Sequence, residues 1–413
     1  MNFLFEACLC ALPKAPLSGL KIANGGDLYM KLVHLGDLHL GKTLGEFDLI
    51  SDQEYILDRI LEIVEKESAD GVLICGDVYD KAIPSEAATR LLDRFLSRLA
   101  EMNVKTFMIS GNHDSDDRLN FGKAFFESRK VFIASVFNGT LEKQVVSDGE
   151  NEVHFYLLPF VKASQVRHFY PEETIENYED AVRVILDHAD IDENVCNVLL
   201  AHQFVSGKGE DPLTGGSEGV ATLSVGMVEK IGYDLFDKFD YVALGHIHRP
   251  QRVGRDEVRY AGSPLKYSLS EVDIEKSVPL ITIDGKNVKI DLIPLVPMRN
   301  VRHIRGTLSE LLKPENVRDP EDFIYATLTD EEIINDVMGI IQGTYKNTVK
   351  IDFDNSHTRE VEQVDISKFA EGRKFEDLIG DFYQEIYGCE ISEEEMAVMR
   401  MAGREAGVFH EAD

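Results

Sequence analysis

The chain is short of positive charge: 43 lysines and arginines stand against 74 aspartates and glutamates, a formal net charge of −31. That balance argues against a protein that coats nucleic acid through bulk electrostatics, but it leaves open a local phosphate site built around cations. Cysteine is scarce. The five residues, Cys8, Cys10, Cys75, Cys196 and Cys389, are odd in number and have no framework spacing, which argues against a disulfide scaffold and for a reducing cytoplasm. No apolar run approaches the ~20 residues that span a bilayer. The apolar start from Phe3 to Cys10 has no Lys or Arg before it and is interrupted by Glu6, unlike a secretory signal. The polar, glycine-rich stretch Gly207 to Gly216 lacks the Gly-Lys-Ser/Thr ending of a P-loop. It is expected to be a mobile, substrate-facing loop.

What is present fits a globular protein. With 413 residues, 44% of them hydrophobic and 28% charged, the chain can bury a substantial core in two or three domains. Residues 1–29 are expected to be an N-terminal extension, not native or disordered, because Met30 directly precedes the first strand. From there the pattern alternates. Lys31 to Leu35 reads as a strand, and Ser51-Asp52-Gln53-Glu54 as a capping box opening a helix with Ile56, Leu57, Ile60, Leu61 and Val64 at helical spacing. Val72 to Cys75 is a second strand, and Pro84-Ser85-Glu86 opens a second helix striped by Leu91, Leu92, Phe95, Leu96 and Leu99. Val104 to Ile109 is a third strand, Val131 to Lys162 turns to short β-like runs, and Pro171 to Asp190 reads as helical. Such alternation predicts an α/β fold, a mixed and partly parallel sheet flanked by helices, in which ligands gather beyond the carboxyl ends of the strands.

Five strand ends carry ligand-type residues. They are Gly36-Asp37-Leu38-His39, Gly76-Asp77, Gly111-Asn112-His113-Asp114, Ala201-His202 and Gly245-His246-Ile247-His248. In an extended segment side chains two apart point the same way, so Asp37 and His39 can converge on one cation. Asp37, His39, Asp77, Asn112, His202, His246 and His248 together offer three oxygen-type and four imidazole ligands, a mixture suited to manganese, iron or zinc rather than magnesium alone. One carboxylate has to serve two ions, and Asp77, on a tight turn in the middle of the set, is the natural bridge. His113, beside Asn112 and backed by Asp114, reads as an acid or charge stabiliser whose ring Asp114 orients. His34 lies inside the first apolar run and off the ligand parity, so it reads as a core histidine. His154, His168, His188, His303, His357 and His410 have no companion ligands and read as solvated or structural.

These five motifs resemble those of the calcineurin-like metallophosphoesterase superfamily. Gly76-Asp77-Val78-Tyr79-Asp80, the Gly111 to Gly122 segment with Arg118 and Phe121, and Gly245 to Gln251 followed by Tyr260-Ala261-Gly262-Ser263-Pro264 narrow the resemblance to the SbcD family of nuclease subunits. The resemblance is strong from Met30 to Ser277 and looser beyond. It implies a manganese-dependent DNA nuclease of DNA repair, recombination and replication, an exonuclease on duplex ends and an endonuclease on single strands or hairpins. It also divides the ligands, which spacing alone does not: Asp37, His39, Asp77 and His248 for one metal, and Asp77, Asn112, His202 and His246 for the other. Relatives often carry histidine where Asp80 stands, so the resemblance assigns Asp80 no catalytic role and leaves the question of its role open. The basic cluster Arg249, Arg252, Arg255 and Arg259 either contacts DNA phosphates or is a solvated hairpin partly neutralised by Asp256 and Glu257.

The expected domains are a nuclease domain over 30–278, a small α+β capping domain over 279–360 and a helical segment over 361–413. On that last segment Phe375, Leu378, Ile379, Phe382, Tyr383 and Ile386 recur at spacings of three and four, an apolar stripe that implies a partner. By the resemblance the partner is an SbcC-type ATPase with a long coiled coil, in an assembly of two nuclease and two ATPase chains. An enzyme for small phosphodiesters or phosphoproteins on the same catalytic frame is the alternative. The complete ligand set argues against a third reading, an inactive scaffold.

Overall fold

The computed structural model describes residues 29–147, 152–216, 230–332, 334–356, 375–387 and 391–405. The expected extension, apart from Tyr29, lies outside them. By contacts the described chain falls into two units, one reaching to Ile304 and including Val317–Ala326 and Met338–Lys350, the other holding Arg305–Asn316, Thr327–Val337 and the residues from Ile351 on.

The first unit is built on two six-stranded sheets. Strands β1 (Met30–Leu35), β2 (Gly71–Cys75), β3 (Lys105–Ile109) and β4 (Val131–Ala134) run parallel in sequence order. A second sheet takes β5 (Glu142–Ser147), β6 (Glu152–Leu158), β7 (Cys196–Ala201), β8 (Tyr241–Leu244), β9 (Gln251–Val253) and β10 (Arg255–Tyr260) in the order β9-β10-β8-β7-β6-β5, parallel from β6 to β10 and antiparallel at both edges. The hairpin of β11 (Ser277–Asp284) and β12 (Asn287–Pro294) then returns to the first sheet, where β11 pairs antiparallel with β1. The sequence reading puts this hairpin in a separate domain starting near 280. An antiparallel hairpin has the same local pattern wherever it docks, so its distant partner strand, with Met30 opposite Ile283, is invisible in its own sequence.

Strand alternation sorts the side chains into three layers. Val33, Leu35, Val72, Ile74 and Met108 face helices α1 (Ile50–Glu67) and α2 (Glu86–Glu101). Leu32, Leu73, Phe107 and Ile109 face the second sheet, meeting Phe155, Leu157, Val198 and Leu200 there. The outer face of the second sheet packs Tyr156, Leu199 and Val242 with α3 (Tyr178–Asp187). His34 sits between the sheets, fully buried, with its Nδ1 2.9 Å from the Tyr241 hydroxyl, and burial pushes its pKa down to about 3. It is a core residue.

Helix starts differ from expectation in two places. Ser51 lies inside α1 rather than capping it, and Asp48 accepts the Ile50 N–H instead (3.2 Å). Gln53 is buried and works on the ligand loop: its Oε1 accepts the Gly41 N–H (2.9 Å) and its amide donates to the His39 carbonyl (2.8 Å). Helix α3 begins well after Pro171, where Asn177 Oδ1 accepts the Asp180 N–H (2.9 Å). Further along, β13 (Val301–Gly306), β14 (Phe323–Leu328) and β15 (Asn347–Phe353) form a three-stranded sheet in that order. In the second unit α4 (Phe375–Tyr387) is followed by α5 (Glu393–Glu405), linked by the Tyr383 hydroxyl donating to Glu395 (2.6 Å) and an Arg400–Glu376 ion pair. Leu378, Ile379 and Tyr383 are half-buried; the side chains of Phe375, Phe382 and Ile386 lie outside what is described.

Phe107 stacks on Phe155 across the two sheets, centroids 4.1 Å apart and planes 11° from parallel, and on Phe132 at 5.3 Å. Phe107→Ala should therefore lower unfolding free energy by about 3–5 kcal/mol, the usual cost of emptying an aromatic core site. Urea denaturation followed by circular dichroism measures it, and a change below ~1 kcal/mol would mean the sheets are not held there.

Candidate metal centre

The carboxyl ends of β1, β2, β3, β7 and β8 converge on one edge, and glycines make the convergence possible. A Cβ on Gly245 would sit 1.9 Å from the Cys75 carbonyl oxygen, one on Gly76 2.4 Å from His202 Nδ1, and one on Gly111 2.2 Å from Asp77 Oδ1. The turn residues themselves are strained. Asp37 (φ 54°), His39 (φ 43°), Asp77 (φ 48°) and His246 (φ 100°) all hold positive φ without being glycine, a conformation that persists only where the surroundings over-determine it. The surroundings are visible: the Asp37 N–H donates to the Gly76 carbonyl (3.2 Å), the His39 N–H to that of Asp77 (2.9 Å), and the His246 N–H to Asp37 Oδ1 (2.7 Å).

All seven sequence-predicted ligands meet at this edge. Asp37, His39 and His248 offer ligand atoms within 4.8 Å of one another, and so do Asp37, Asp77 and His202. Asp77 Oδ2 lies 3.5 Å from His39 Nε2 and 3.3 Å from His202 Nε2, between the two groups. Asn112 Oδ1 stands 3.1 Å from His202 Nε2 and 3.0 Å from His246 Nδ1.

The donor chemistry fits cations. His202 Nδ1 donates to the Cys75 carbonyl (2.7 Å), which leaves Nε2 as the nitrogen that faces the oxygens of Asp77 and Asn112, where it meets either a proton or a cation. His39 Nε2 and His248 Nε2 face each other at 3.1 Å. Asp37 Oδ2 is buried and has no hydrogen-bond partner. A buried carboxylate oxygen without a donor, beside ring nitrogens and oxygens that converge on one point, is stabilised by positive charge placed between them.

The electrostatics agree. Burial holds the imidazoles of His39 and His246 down, to about 4 and about 3, so both are neutral and ready to ligate. Burial pushes the Asp37 carboxyl up to about 6. For Asp77 and His202 burial opposes charge on each, but their attraction prevails: the carboxyl falls well below its usual range and the imidazole rises to about 9. A proton occupies, in effect, a cation's place.

Other candidates are placed differently from expectation. The Asp114 carboxylate does not touch the His113 ring; it accepts the N–H groups of Val78 (3.1 Å), Tyr79 (2.9 Å) and Gly111 (2.9 Å), locking two ligand turns together. The His113 ring is fixed by the Asp80 carbonyl, to which Nδ1 donates (3.1 Å), and its main-chain N–H donates to Asp77 Oδ1 (2.9 Å). Asp80 pairs with Lys42 (2.8 Å) and lies 3.6 Å from His39 Nδ1. Arg255 is half-buried, donates to the carbonyls of Phe236 and Phe239 and pairs with Glu257 (3.5 Å), so its guanidinium closes a turn. Arg252 is exposed and pairs with Asp256 (3.2 Å), while Arg249 and Arg259 are half-buried.

Sequence reasoning missed Glu271 and Lys276, which lie directly behind His248. Glu271 is fully buried; burial opposes its charge, but the hydrogen bond from His248 and the charge of Lys276 hold its carboxyl down at about 2. No local motif marks either residue. A cleft of about 640 Å³ lined by Leu265, Lys276, Arg299 and Phe323 contains none of the candidate ligands.

Residues 30–250 match the calcineurin-like phosphoesterase family, and residues 296–387 match the domain described as the type 5 capsule protein repressor C-terminal domain. The D subunit of the SbcCD nuclease of Staphylococcus saprophyticus is 32% identical over 366 residues, covering 87% of this chain and 94% of that protein. The chain belongs to the SbcD family of calcineurin-like phosphoesterases. As an SbcD-family member it is a metal-dependent phosphodiesterase of the nuclease class, and family membership implies divalent cations. No helix among the described residues is long and apolar enough to cross a membrane.

The raised His202 pKa has a measurable consequence. In metal-free protein at pH 7 the His202 imidazole, shifted from its ordinary 6.5 to about 9, holds a proton that a cation at Nε2 must displace. Divalent-metal binding should thus release about one proton at pH 7, and affinity should rise with pH until about 9 and then level off. Calorimetry in two buffers of different ionisation enthalpy counts the protons; zero release at pH 7 would show that no such proton stands at His202 Nε2 for the cation to displace.

Proposed function

We propose that the chain is the nuclease subunit of an SbcCD-type complex, a two-metal DNA nuclease that acts on duplex ends and on single strands or hairpins in repair, recombination and replication. The observation that carries this reading is the buried cluster of acceptors with His113 at its open side, where Asn112 is exposed and the His113 side chain is 28% exposed. Asp37, His39, Asp77 and His248 would hold one ion and Asp77, Asn112, His202 and His246 the other, with manganese the proposed metal. Bound there, such ions supply Lewis acidity toward a phosphodiester. His113 supplies the proton. With Nδ1–H committed to the Asp80 carbonyl, Nε2, 4.0 Å from Asp77 Oδ2, is the nitrogen that delivers a proton to the leaving oxygen as a water oxygen bonds to phosphorus and the ester P–O bond breaks, giving an alcohol and a phosphate monoester while the water's proton passes to solvent. Asp80 orients His39 and His113 rather than reacting, and Asp114 fixes the turns that present Asp77 and Asn112.

The proposed partner is an SbcC-type ATPase, with a second copy of each chain completing a two-plus-two assembly in the cytoplasm. The relative's name, which makes it one part of an SbcCD nuclease, supports it. So does the α4 stripe, which at ~1.5–3 kcal/mol per buried large side chain would favour association before ordering costs are subtracted.

Two variants separate ligand from acid. Asp77→Asn removes the bridging charge and should cost metal content as well as activity, whereas His113→Ala should retain its metals yet cleave labelled duplex, hairpin and single-stranded DNA roughly a hundredfold more slowly. Metal analysis beside the nuclease assay decides it. Loss of metal from His113→Ala would make His113 a ligand, and activity confined to a generic small phosphodiester would favour the small-molecule alternative.

The partner is tested by Phe382→Ser with Tyr383→Ser, which should abolish co-purification with the ATPase and ATP-stimulated duplex digestion. Wild-type affinity by calorimetry would move the partner surface elsewhere.

A further inference from the structure

The two ends of the candidate centre are backed by different chemistry. His202 is oriented by a neutral main-chain carbonyl, that of Cys75. His248 is oriented by a buried carboxylate: its Nδ1 donates to Glu271 Oε1 at 3.3 Å, and neither side chain is more than 1% exposed. Glu271 is itself held. Lys276, 6% exposed, donates to Glu271 Oε2, to Ser263 Oγ (2.7 Å) and to the His248 carbonyl (2.9 Å). Ser263 closes the loop, its N–H donating to that same His248 carbonyl (3.1 Å) and its hydroxyl lying 3.4 Å from Glu271 Oε2. The ring and the main chain of His248 are thus gripped by one buried ion pair.

We propose that Glu271, clamped by Lys276, is a positioning residue that fixes the Nδ1–H tautomer of His248 and so sets metal retention at the Asp37–His39–His248 end of the centre, without governing the Asn112–His202–His246 end. The physical reason is twofold. A carboxylate on the far nitrogen makes Nε2 the lone-pair face and raises its basicity, and a ring held at both main chain and side chain loses no freedom when it ligates. A buried ion pair is weak evidence of stabilisation for its own sake, so its placement against one ligand is the informative feature. The proposal rests on the ligand assignment given above.

The test uses the full-length, metal-stripped protein titrated with Mn²⁺, free ion being read by electron paramagnetic resonance. Wild type should show two binding events. Glu271→Gln should keep one at wild-type affinity and weaken the other by about 10–100-fold, the scale seen when a ligand's supporting partner is removed. Long-range ¹H–¹⁵N spectra of the histidines, recorded without metal, should show a single Nδ1–H tautomer for His248 in wild type and a mixture in the variant, a change that loosened packing alone would not produce. If Glu271→Gln fails to fold because Lys276 is left unpaired, Glu271→Gln with Lys276→Met removes both charges, and the same selective loss is expected. Two wild-type affinities in a folded variant, or equal weakening of both events, would overturn the proposal. Failure of wild type to bind two ions would instead overturn the ligand assignment on which it rests.

Discussion

Buried acceptors that face one another govern this molecule. Asp37, Asp77 and four imidazoles are brought within a few ångströms in a place that water barely reaches, with Asn112 at its exposed side, an arrangement that costs several kcal/mol per unsatisfied charge unless a cation is present. Everything around the edge answers to that demand. The parallel strands deliver the side chains from one direction, and Asp114 and Gln53 use their own polar atoms to hold the loops. Asp77 and His202 retain a proton when nothing better is available. The two sheets form a frame for one electrostatic problem, and the hydrophobic layer between them is what keeps the frame stiff.

Much of this is legible in the residues. A strand ending in a small residue followed by a ligand-type residue is a local signal, and five such endings on one chain, four with glycine and one with Ala201, are hard to reach by chance, so the candidate ligands and the α/β frame can be read from pattern alone. Roles that depend on distant partners do not. Asp114 looks like a neighbour for His113, yet its partners are main-chain N–H groups brought from another turn; Arg255 looks like a phosphate contact, yet it answers two carbonyls at the end of a short helix. Glu271 and Lys276 sit in an ordinary polar stretch, and only folding brings them behind His248. The β11–β12 hairpin escapes its proper place in the sequence reading for the same reason. Periodicity reports which face of a strand is buried, not which strand lies beside it.

The acidic surface and the basic cluster also take on a sharper meaning. With Arg255 turned to structural duty and Arg252 paired to Asp256, two of the four arginines of the cluster are already engaged within the chain. In a chain of net charge −31, recognition of DNA would then depend on the bound cations and on surfaces contributed by a partner.

The interlocked glycines restrict how such a centre can change over evolutionary time. Because Gly76, Gly111 and Gly245 each leave room for an atom of a neighbouring turn, no side chain can be tried at any of them without displacing a ligand borne by another strand. Single-step substitution at these three glycines is therefore closed. Room for change is left at positions that touch these side chains from behind and in the loops that surround the opening, while the three glycines stay fixed.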